Sequence, residues 1–344
     1  MTAFGLDISD AWIRLAVLEK SRQRLRLPTR AEIPVAPGLI VDGEIQNPQR
    51  VSTLIRELTK AAGIRRRQAF VSLPERHTFI KFITIAADQA NDLETAVKDE
   101  ALHHLPYTWD EVYFDWSTQP KRNAHGQLEV IIGAAPRSLV DTYVTVLEAC
   151  DVEPIGLDIE SLAVTRATYR PGQPPGTTIL LDLGRTRSTL MLLHDGLVLF
   201  SATVRYAGKE LNRYIADEMK ISEAQAERAK KIFGLDPHRG RGLLRKVLAP
   251  QLDVVVAKIH EVEAFAAEHF PDSQPVKEIA LTGSGALLRF IDRELASRLQ
   301  RPVILQPSWV YEELKSFDPS YRPEIGFIYT TAFGLALMNF PARL

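Results

Sequence analysis

Phe4-Gly5-Leu6-Asp7-Ile8-Ser9, near the start of the chain, is answered by Leu180-Leu181-Asp182-Leu183-Gly184-Arg185 in its middle. Each segment is an apolar run that ends in an aspartate, a residue costly to bury unless something pairs with it. Each is followed, after a tight turn, by a second strand-like run, Trp12 to Leu18 in the first copy and Ser188 to Leu193 in the second. A strand, an acidic turn and a returning strand, used twice, predict two similar halves facing each other across a cleft. Such a cleft can grip phosphates from both sides.

Composition sets the outer limits. The chain has 344 residues, 45% of them hydrophobic, enough for two or three lobes with substantial cores. Its 42 basic and 43 acidic residues leave a net charge of −1, so no global field favours nucleic acid or an anionic membrane. Cys150 has no partner for an internal disulfide and lies in an apolar-periodic run, which fits core packing and a reducing cytoplasm. Asp7 and Asp10 interrupt any apolar stretch at the N-terminus, so no signal peptide is expected. No run approaches the roughly 18 apolar residues of a membrane span.

Along the chain, strands are expected at 3–8, 12–19 and 25–35. A helix follows, with Asn47 as N-cap, Pro48 at its first position and Gly63 as its stop. Arg65-Arg66-Arg67 reads either as a solvated loop or as a phosphate contact. From 78 to 155 the pattern is strand, helix, strand, strand, helix: Phe79 to Ile85, Asp88 to His104, Glu111 to Gln119, Leu128 to Ala134 and Leu139 to Cys150. This block reads as an insertion. The second half repeats the opening meander with Thr178 to Asp182, Ser188 to Leu193 and Leu197 to Val204, the last two joined by Asp195-Gly196, a hairpin signal. Helices are expected at Lys209 to Lys220, Ser222 to Phe233 and Leu243 to Phe270, the last bent at Pro250. Ile279 to Thr282, the small-residue turn Gly283-Ser284-Gly285-Ala286 and a helix from Leu287 to Leu299 close this part.

Chemistry is expected at the glycine-bearing turns. Gly184 frees backbone amides to approach an oxyanion, and Asp182 is suited to hold Mg2+ through water. Thr186, Ser188 and Thr189 can donate to phosphate. Gly283-Ser284-Gly285 at a helix N-terminus would let a base or ribose lie against backbone.

These elements, in this order, resemble the actin-like ATPase superfamily and within it the PilM family of type IV pilus assembly. The resemblance rests on Gly5 to Ser9, Pro37-Gly38-Leu39-Ile40-Val41-Asp42-Gly43-Glu44-Ile45, His104-Leu105-Pro106-Tyr107, Gly156 to Ala163, Leu181 to Gly184, Gly208-Lys209-Glu210-Leu211, Leu281 to Ala286 and Ala332 to Ala336. It implies an α/β, actin-like (ribonuclease H-like) two-domain fold with an inserted FtsA/PilM-type small subdomain. The first lobe would comprise 1–77, 156–175 and 326–344, the subdomain 78–155 and the second lobe 176–325. It also implies ATP or ADP with Mg2+ as cofactors. Asp7, Ser9, Asp10, Arg14, Asp182, Gly184, Arg185, Thr186, Gly208, Lys209, Gly283, Ser284 and Gly285 would bind the nucleotide. Asp7 and Asp182 would hold the metal through water, and Glu160 would be catalytic. The implied partners are the N-terminal cytoplasmic peptide of a PilN-like single-span membrane protein, other pilus assembly proteins and a second copy of the chain. Membrane association would come only through partners, at the inner face of the bacterial inner membrane. The aromatic residues Phe79, Phe82, Trp109, Tyr113, Phe114 and Trp116 read either as groove lining or as subdomain core.

The first turn departs from the family pattern. Ser9 stands where relatives usually have glycine, Asp10 where they have a small hydroxyl residue, and Arg14 where they have lysine. An Asp10 carboxylate about 4 Å from a phosphate charge would be repelled by roughly 4 kcal/mol at an effective dielectric near 20. Arg185 and Arg187 can answer it, by pairing with Asp10 or with phosphate. The expectation is a nucleotide-binding scaffold with at most weak ATPase activity. A slow ATPase of FtsA or GspL type is the nearer alternative, although FtsA continues into a membrane-binding helix and GspL into a transmembrane one. A small-molecule kinase would require a further acidic base beside a polar pocket, which the sequence does not offer.

Overall fold

The computed structural model describes residues 2–340 apart from 22–23, 66, 87–91, 124, 171, 174–175, 271–272 and 274. Arg66, the expected helix start at Asp88 and the closing Pro341-Ala342-Arg343-Leu344 lie outside the described residues.

The N-terminal meander is β1 (Phe4–Ile8), β2 (Trp12–Ser21) and β3 (Arg24–Pro34). A short hairpin, β4 (Ile40–Val41) and β5 (Glu44–Ile45), turns at Asp42 and Gly43, both with positive φ. Helix α1 (Pro48–Ala61) starts as its sequence dictates, with the Asn47 side chain accepting from the Arg50 amide at 3.0 Å. Beyond it come β6 (Gln68–Leu73), β7 (Phe79–Ile85), α2 (Leu93–Leu102), β8 (Val112–Arg122), β9 (Leu128–Pro136), α3 (Arg137–Glu148), β10 (Glu153–Ile159) and α4 (Glu160–Thr168). The second half opens with β11 (Thr177–Leu183), β12 (Ser188–His194) and β13 (Leu197–Val204). It continues through α5 (Gly208–Met219), α6 (Glu223–Phe233), α7 (Leu243–Leu248), α8 (Asp253–His269), β14 (Val276–Thr282), α9 (Ile291–Leu299), β15 (Val303–Leu305), α10 (Trp309–Phe317), α11 (Glu324–Ile328) and α12 (Thr330–Ala336).

The repeat seen in sequence is a repeat of topology. The first sheet has the order β3-β2-β1-β6-β10 and the second β13-β12-β11-β14-β15, so each half places its meander and its parallel strands alike. Asp7 ends β1 opposite Arg14, and Asp182 ends β11 opposite Thr189 and beside Thr282. Helices α4 and α12 lie together between the sheets. A Cβ on Gly334 would collide with the backbone of Ala163, and one on Gly5 with the backbone of Ala332, so both positions require glycine for this close approach.

Three expectations shift. The block from 78 to 155 is not one unit: β7-β9-β8 and α2 share a small core around Ile83, Ile85, Val97, Val130 and Ile132, whereas Leu139, Tyr143, Leu147 and Cys150 of the α3 region pack into the first lobe's core. Helix α3 is amphipathic, and its apolar face finds the larger surface. Likewise α10, expected in the second lobe, and Ile325, at that lobe's expected edge, supply Val310, Leu314 and Ile325 to a core shared with Ala16 and Leu18 of β2. Third, the turn after β14 does not open a long helix. It forms one 3₁₀ turn, Ser284–Leu287, and Phe290 in the left-handed region separates this from α9. The helix-dipole contribution expected at Gly283 is therefore lost. The bend at Pro250 does occur, as a 3₁₀ turn between α7 and α8.

Most of the subdomain aromatics are core. Phe79, Trp109, Phe114 and Trp116 pack on the small core, Phe82 packs against Phe270, and Tyr113 alone of the six is exposed, its hydroxyl donating to Asp141 at 3.0 Å. Cys150 is buried, with its thiol pushed up to about 11 by desolvation, so it is inert packing.

Candidate functional site

Glycine at 184 is required by the chain itself. A Cβ there would collide with the carbonyl oxygen of Arg187, so the β11–β12 turn can close only over hydrogen. The Gly184 amide donates to Ser188 Oγ at 3.3 Å, and Ser188 Oγ donates in turn to the Tyr206 carbonyl. Ser188 is thus spent inside the protein, leaving Thr186 and Thr189 facing the cleft. The carbonyls of Gly184 and Arg185 accept from the amides of Gly208 and Lys209 at 3.1 and 2.8 Å, which ties the turn to the start of α5.

The turn after β14 fits against the same structure. A Cβ on Gly283, whose φ is +77°, would strike the Asp182 carboxylate, and one on Gly285 would lie 2.8 Å from the Leu183 carbonyl oxygen. Both glycines serve contact between two loops of the second lobe, and the smooth backbone wall they leave faces the cleft.

The β1–β2 turn uses its polar atoms differently. Ser9 donates from both its amide and its hydroxyl to the Trp12 carbonyl, at 3.0 and 2.9 Å. Asp10 accepts from the amides of Asp42 and Gly43 at 3.1 and 2.9 Å, capping the β4–β5 hairpin. The Asp10 carboxylate thus turns towards amide donors and Arg187 and is absent from the cleft lining. Arg14 is paired with Glu32 at 2.9 Å and stands 3.9 Å from Asp7.

Charge bridges the lobes at Arg187. Its guanidinium lies 3.3 Å from Glu160 at the start of α4 and 3.7 Å from Asp10. Those carboxylates hold it charged, raising its pKa further against the opposing cost of burial. Glu75, a buried acid that the sequence reading passed over, accepts from the Ser161 amide at 3.2 Å and from the Ser201 hydroxyl of β13, so it too joins the halves. Burial raises its pKa. Desolvation also pushes Asp7 up to about 6 and Asp182 to about 7, and in both the neighbouring Glu160 adds to the rise.

One cavity of ≈ 630 Å³ gathers these parts. Of the residues expected at the site, Asp7, Ser9, Arg14, Glu160, Asp182, Gly184, Arg185, Thr186, Gly208, Gly283, Ser284 and Gly285 line it. Asp10 and Lys209 do not; the Lys209 side chain is exposed, and only its amide serves the site. The cavity also takes in Glu227, Lys230 and Lys231 from α6. Lys230 Nζ donates to the Gly208 carbonyl at 2.6 Å, and burial lowers its pKa to about 8. Arg185 and Lys231 both pair with Glu227. No motif announced this cationic wall; its trace in the sequence is the pair Lys230-Lys231 one turn after Glu227 on an amphipathic helix.

The cavity volume lies within the roughly 300–1,000 Å³ of small-molecule sites, and its glycine walls and cationic rim suit a nucleotide. For Mg2+, no group of three or more His, Cys, Asp or Glu side chains is gathered among the described residues, but Asp7 and Asp182 both line the cavity and would supply the one or two carboxylates that such an ion takes before water and phosphate complete its shell. The cation already between Glu160 and Asp10 is a guanidinium.

The fold has close relatives in shape. A PilM-PilN type IV pilus biogenesis complex superposes with a TM-score of 0.79 at 24% identity, covering 98% of each chain. Ethanolamine utilization protein EutJ from Carboxydothermus hydrogenoformans matches with a TM-score of 0.58 at 16% identity, covering 98% of this chain and 89% of that one. MreB 5 of Spiroplasma citri, bound to AMPPNP, matches at 0.52 and 12% identity over 92% and 93% of the two chains. These likenesses establish the actin-like fold expected from the sequence. The family model for type IV pilus assembly protein PilM matches residues 5–340, and the chain belongs to that family.

Proposed function

We propose that this chain is a nucleotide-binding scaffold of type IV pilus assembly, which holds ATP or ADP in its cleft and docks a short cytoplasmic peptide of a PilN-like membrane protein. The observation that carries the nucleotide part is the single cavity lined by both aspartate turns and by Gly283-Ser284-Gly285. The glycine wall would lie against the nucleoside, while the Gly184 turn, Thr186 and the cationic side chains of α6 would meet the phosphates. Support also comes from the AMPPNP-bound MreB 5, which shares the fold. The peptide part is supported by the similarity to a PilM structure solved with PilN. Among the described residues no helix is long and apolar enough to cross a membrane, consistent with attachment to the inner membrane's inner face through such a partner.

Turnover is expected to be slow. A bound nucleotide supplies the phosphoanhydride, and the protein must then orient and deprotonate an attacking water. Glu160, at the start of α4, is the residue we assign to that role, and its carboxylate lies 3.3 Å from the Arg187 guanidinium. A carboxylate tied to a guanidinium is less free to turn towards an attacking water, which favours binding over rapid hydrolysis. Other assembly proteins and self-association complete the proposed set of contacts.

Titration of ATP and ADP into the purified protein, followed by calorimetry, tests the reading. Saturable binding with turnover below about one per minute supports it. Rapid hydrolysis, or no binding of either nucleotide, counts against it. Anisotropy of labelled N-terminal peptides from PilN-like proteins tests the docking half, and failure of every such peptide removes it.

A further inference from the structure

The chain is almost neutral, with a net charge of −1, yet the stretch from Gln225 to Lys246 holds seven Lys or Arg residues against two acids. Both acids are already answered within the protein: Glu227 pairs with Lys231 and Arg185, and Asp236 with Arg239. Arg228, Arg241 and Lys246 are exposed and, among the described residues, enter no ion pair or side-chain hydrogen bond. The two most exposed large hydrophobic side chains among the described residues, Leu243 at 53% and Ile232 at 52%, fall in the same stretch.

The fold gathers these residues on one surface. The last turn of α6 carries Ile232 four residues after Arg228, so the two share a helix face. The chain then folds back onto that end. Arg239 donates to the Ile232 carbonyl at 3.2 Å, and a Cβ on Gly240 would stand 3.2 Å from the Phe233 ring. Gly240, Arg241 and Gly242 all have positive φ, a run that its two glycines permit and that strains Arg241. Helix α7 opens directly afterwards at Leu243, with Lys246 one turn on and on the same face. An apolar pair is thereby framed by unanswered cations.

We propose that this patch, formed by the end of α6, the 239–242 turn and the start of α7, docks directly on an anionic lipid surface, as a contact additional to any partner peptide. Charge complementarity names the surface, since each exposed cation beside acidic headgroups multiplies partitioning by roughly fivefold. Ile232 and Leu243 select lipid over other polyanions, because the headgroup boundary buries apolar side chains and a phosphodiester backbone does not. Such a contact is weak alone and screened by salt, so it orients a tethered protein rather than anchoring a free one. It stands or falls separately from nucleotide binding and from peptide docking.

The full chain is sedimented with vesicles of phosphatidylcholine, with and without about 30% phosphatidylglycerol. Wild type is compared with R241E/K246E, I232S/L243S and R50E/K60E, the last a charge reversal of equal size on α1, and thermal melting checks that each folds. Wild type should bind the anionic vesicles at low salt, ignore the neutral ones and be released in about 0.5 M NaCl. R241E/K246E should lose at least tenfold in affinity and I232S/L243S at least threefold, while R50E/K60E stays within twofold of wild type. Folded wild type that fails to bind, binding to neutral vesicles as tight as to anionic ones, or an equal loss in R50E/K60E overturns the inference. So does tighter binding of a DNA duplex or of polyglutamate than of the anionic vesicles, which would assign the patch to another polyanion.

Discussion

The two aspartate turns share a register and a strand order but spend their polar atoms in opposite ways. In the β1–β2 turn, Ser9 closes on Trp12 and Asp10 caps the hairpin at Asp42 and Gly43, so the turn is a structural joint. In the β11–β12 turn, Gly184 holds the backbone tight while Thr186 and Arg185 reach the cavity, so the turn stays available to a ligand. Repeated topology therefore does not mean repeated duty. The first turn spends its polar atoms on the protein, and the second, on the function proposed above, would keep its own for what enters the cleft.

The largest expected effect is from G184A. A methyl group forced against the Arg187 backbone must displace the turn, at a cost of about 3 kcal/mol in chemical denaturation. A stability within 0.5 kcal/mol of wild type would show that the second turn is looser than described.

The next effect is one of pH. Asp7 is raised to about 6 by burial, so the folded protein keeps a proton that the unfolded chain has released above its ordinary value of 3.8. Its contribution to stability is then full below about pH 4 and is lost as pH rises through about 6, an upper bound of about 3 kcal/mol. Asp182, raised to about 7, gives a slope of the same sign that D7N keeps, so in D7N the fall in stability between pH 4 and 6 should become shallower by the Asp7 share. An unchanged slope would place the titrating group elsewhere.

D10A should cost about 2 kcal/mol, because it leaves two amides and a guanidinium short of their acceptor. Hydrogen exchange at Asp42 and Gly43 should accelerate at the same time. If D10A is neutral and those amides stay protected, the first turn is not the joint proposed here. S9G should have the smallest effect, below about 1 kcal/mol, since it removes one partly buried hydroxyl bond and leaves the amide bond to Trp12 intact. A larger loss would give Ser9 a role beyond closing the turn.

Much of this was legible in the chain. The paired Asp7 and Asp182 segments announced two like halves, and Asn47-Pro48 with Gly63 marked α1, because strand alternation and helix capping are local. What escaped was non-local or conformational. Glu75 meets Ser201 only once the two halves are folded together, and nothing near either residue signals the pairing. The break before α9 depends on Phe290 adopting a left-handed backbone, which its residue type does not favour. Asp10 likewise finds its amide donors only through a long-range contact. The partners themselves sat in the quoted motif, as the turn residues Asp42-Gly43. In Gly208-Lys209-Glu210-Leu211 the sequence does not show that the Lys209 amide, rather than its side chain, meets the Arg185 carbonyl.

The most direct measurement compares ATP affinity in S9G and G184A side by side. The unequal turns predict that S9G stays within threefold of wild type while folded G184A loses at least tenfold. Equal losses in the two variants, or a greater loss in S9G, would contradict the assignment of ligand binding to the second turn.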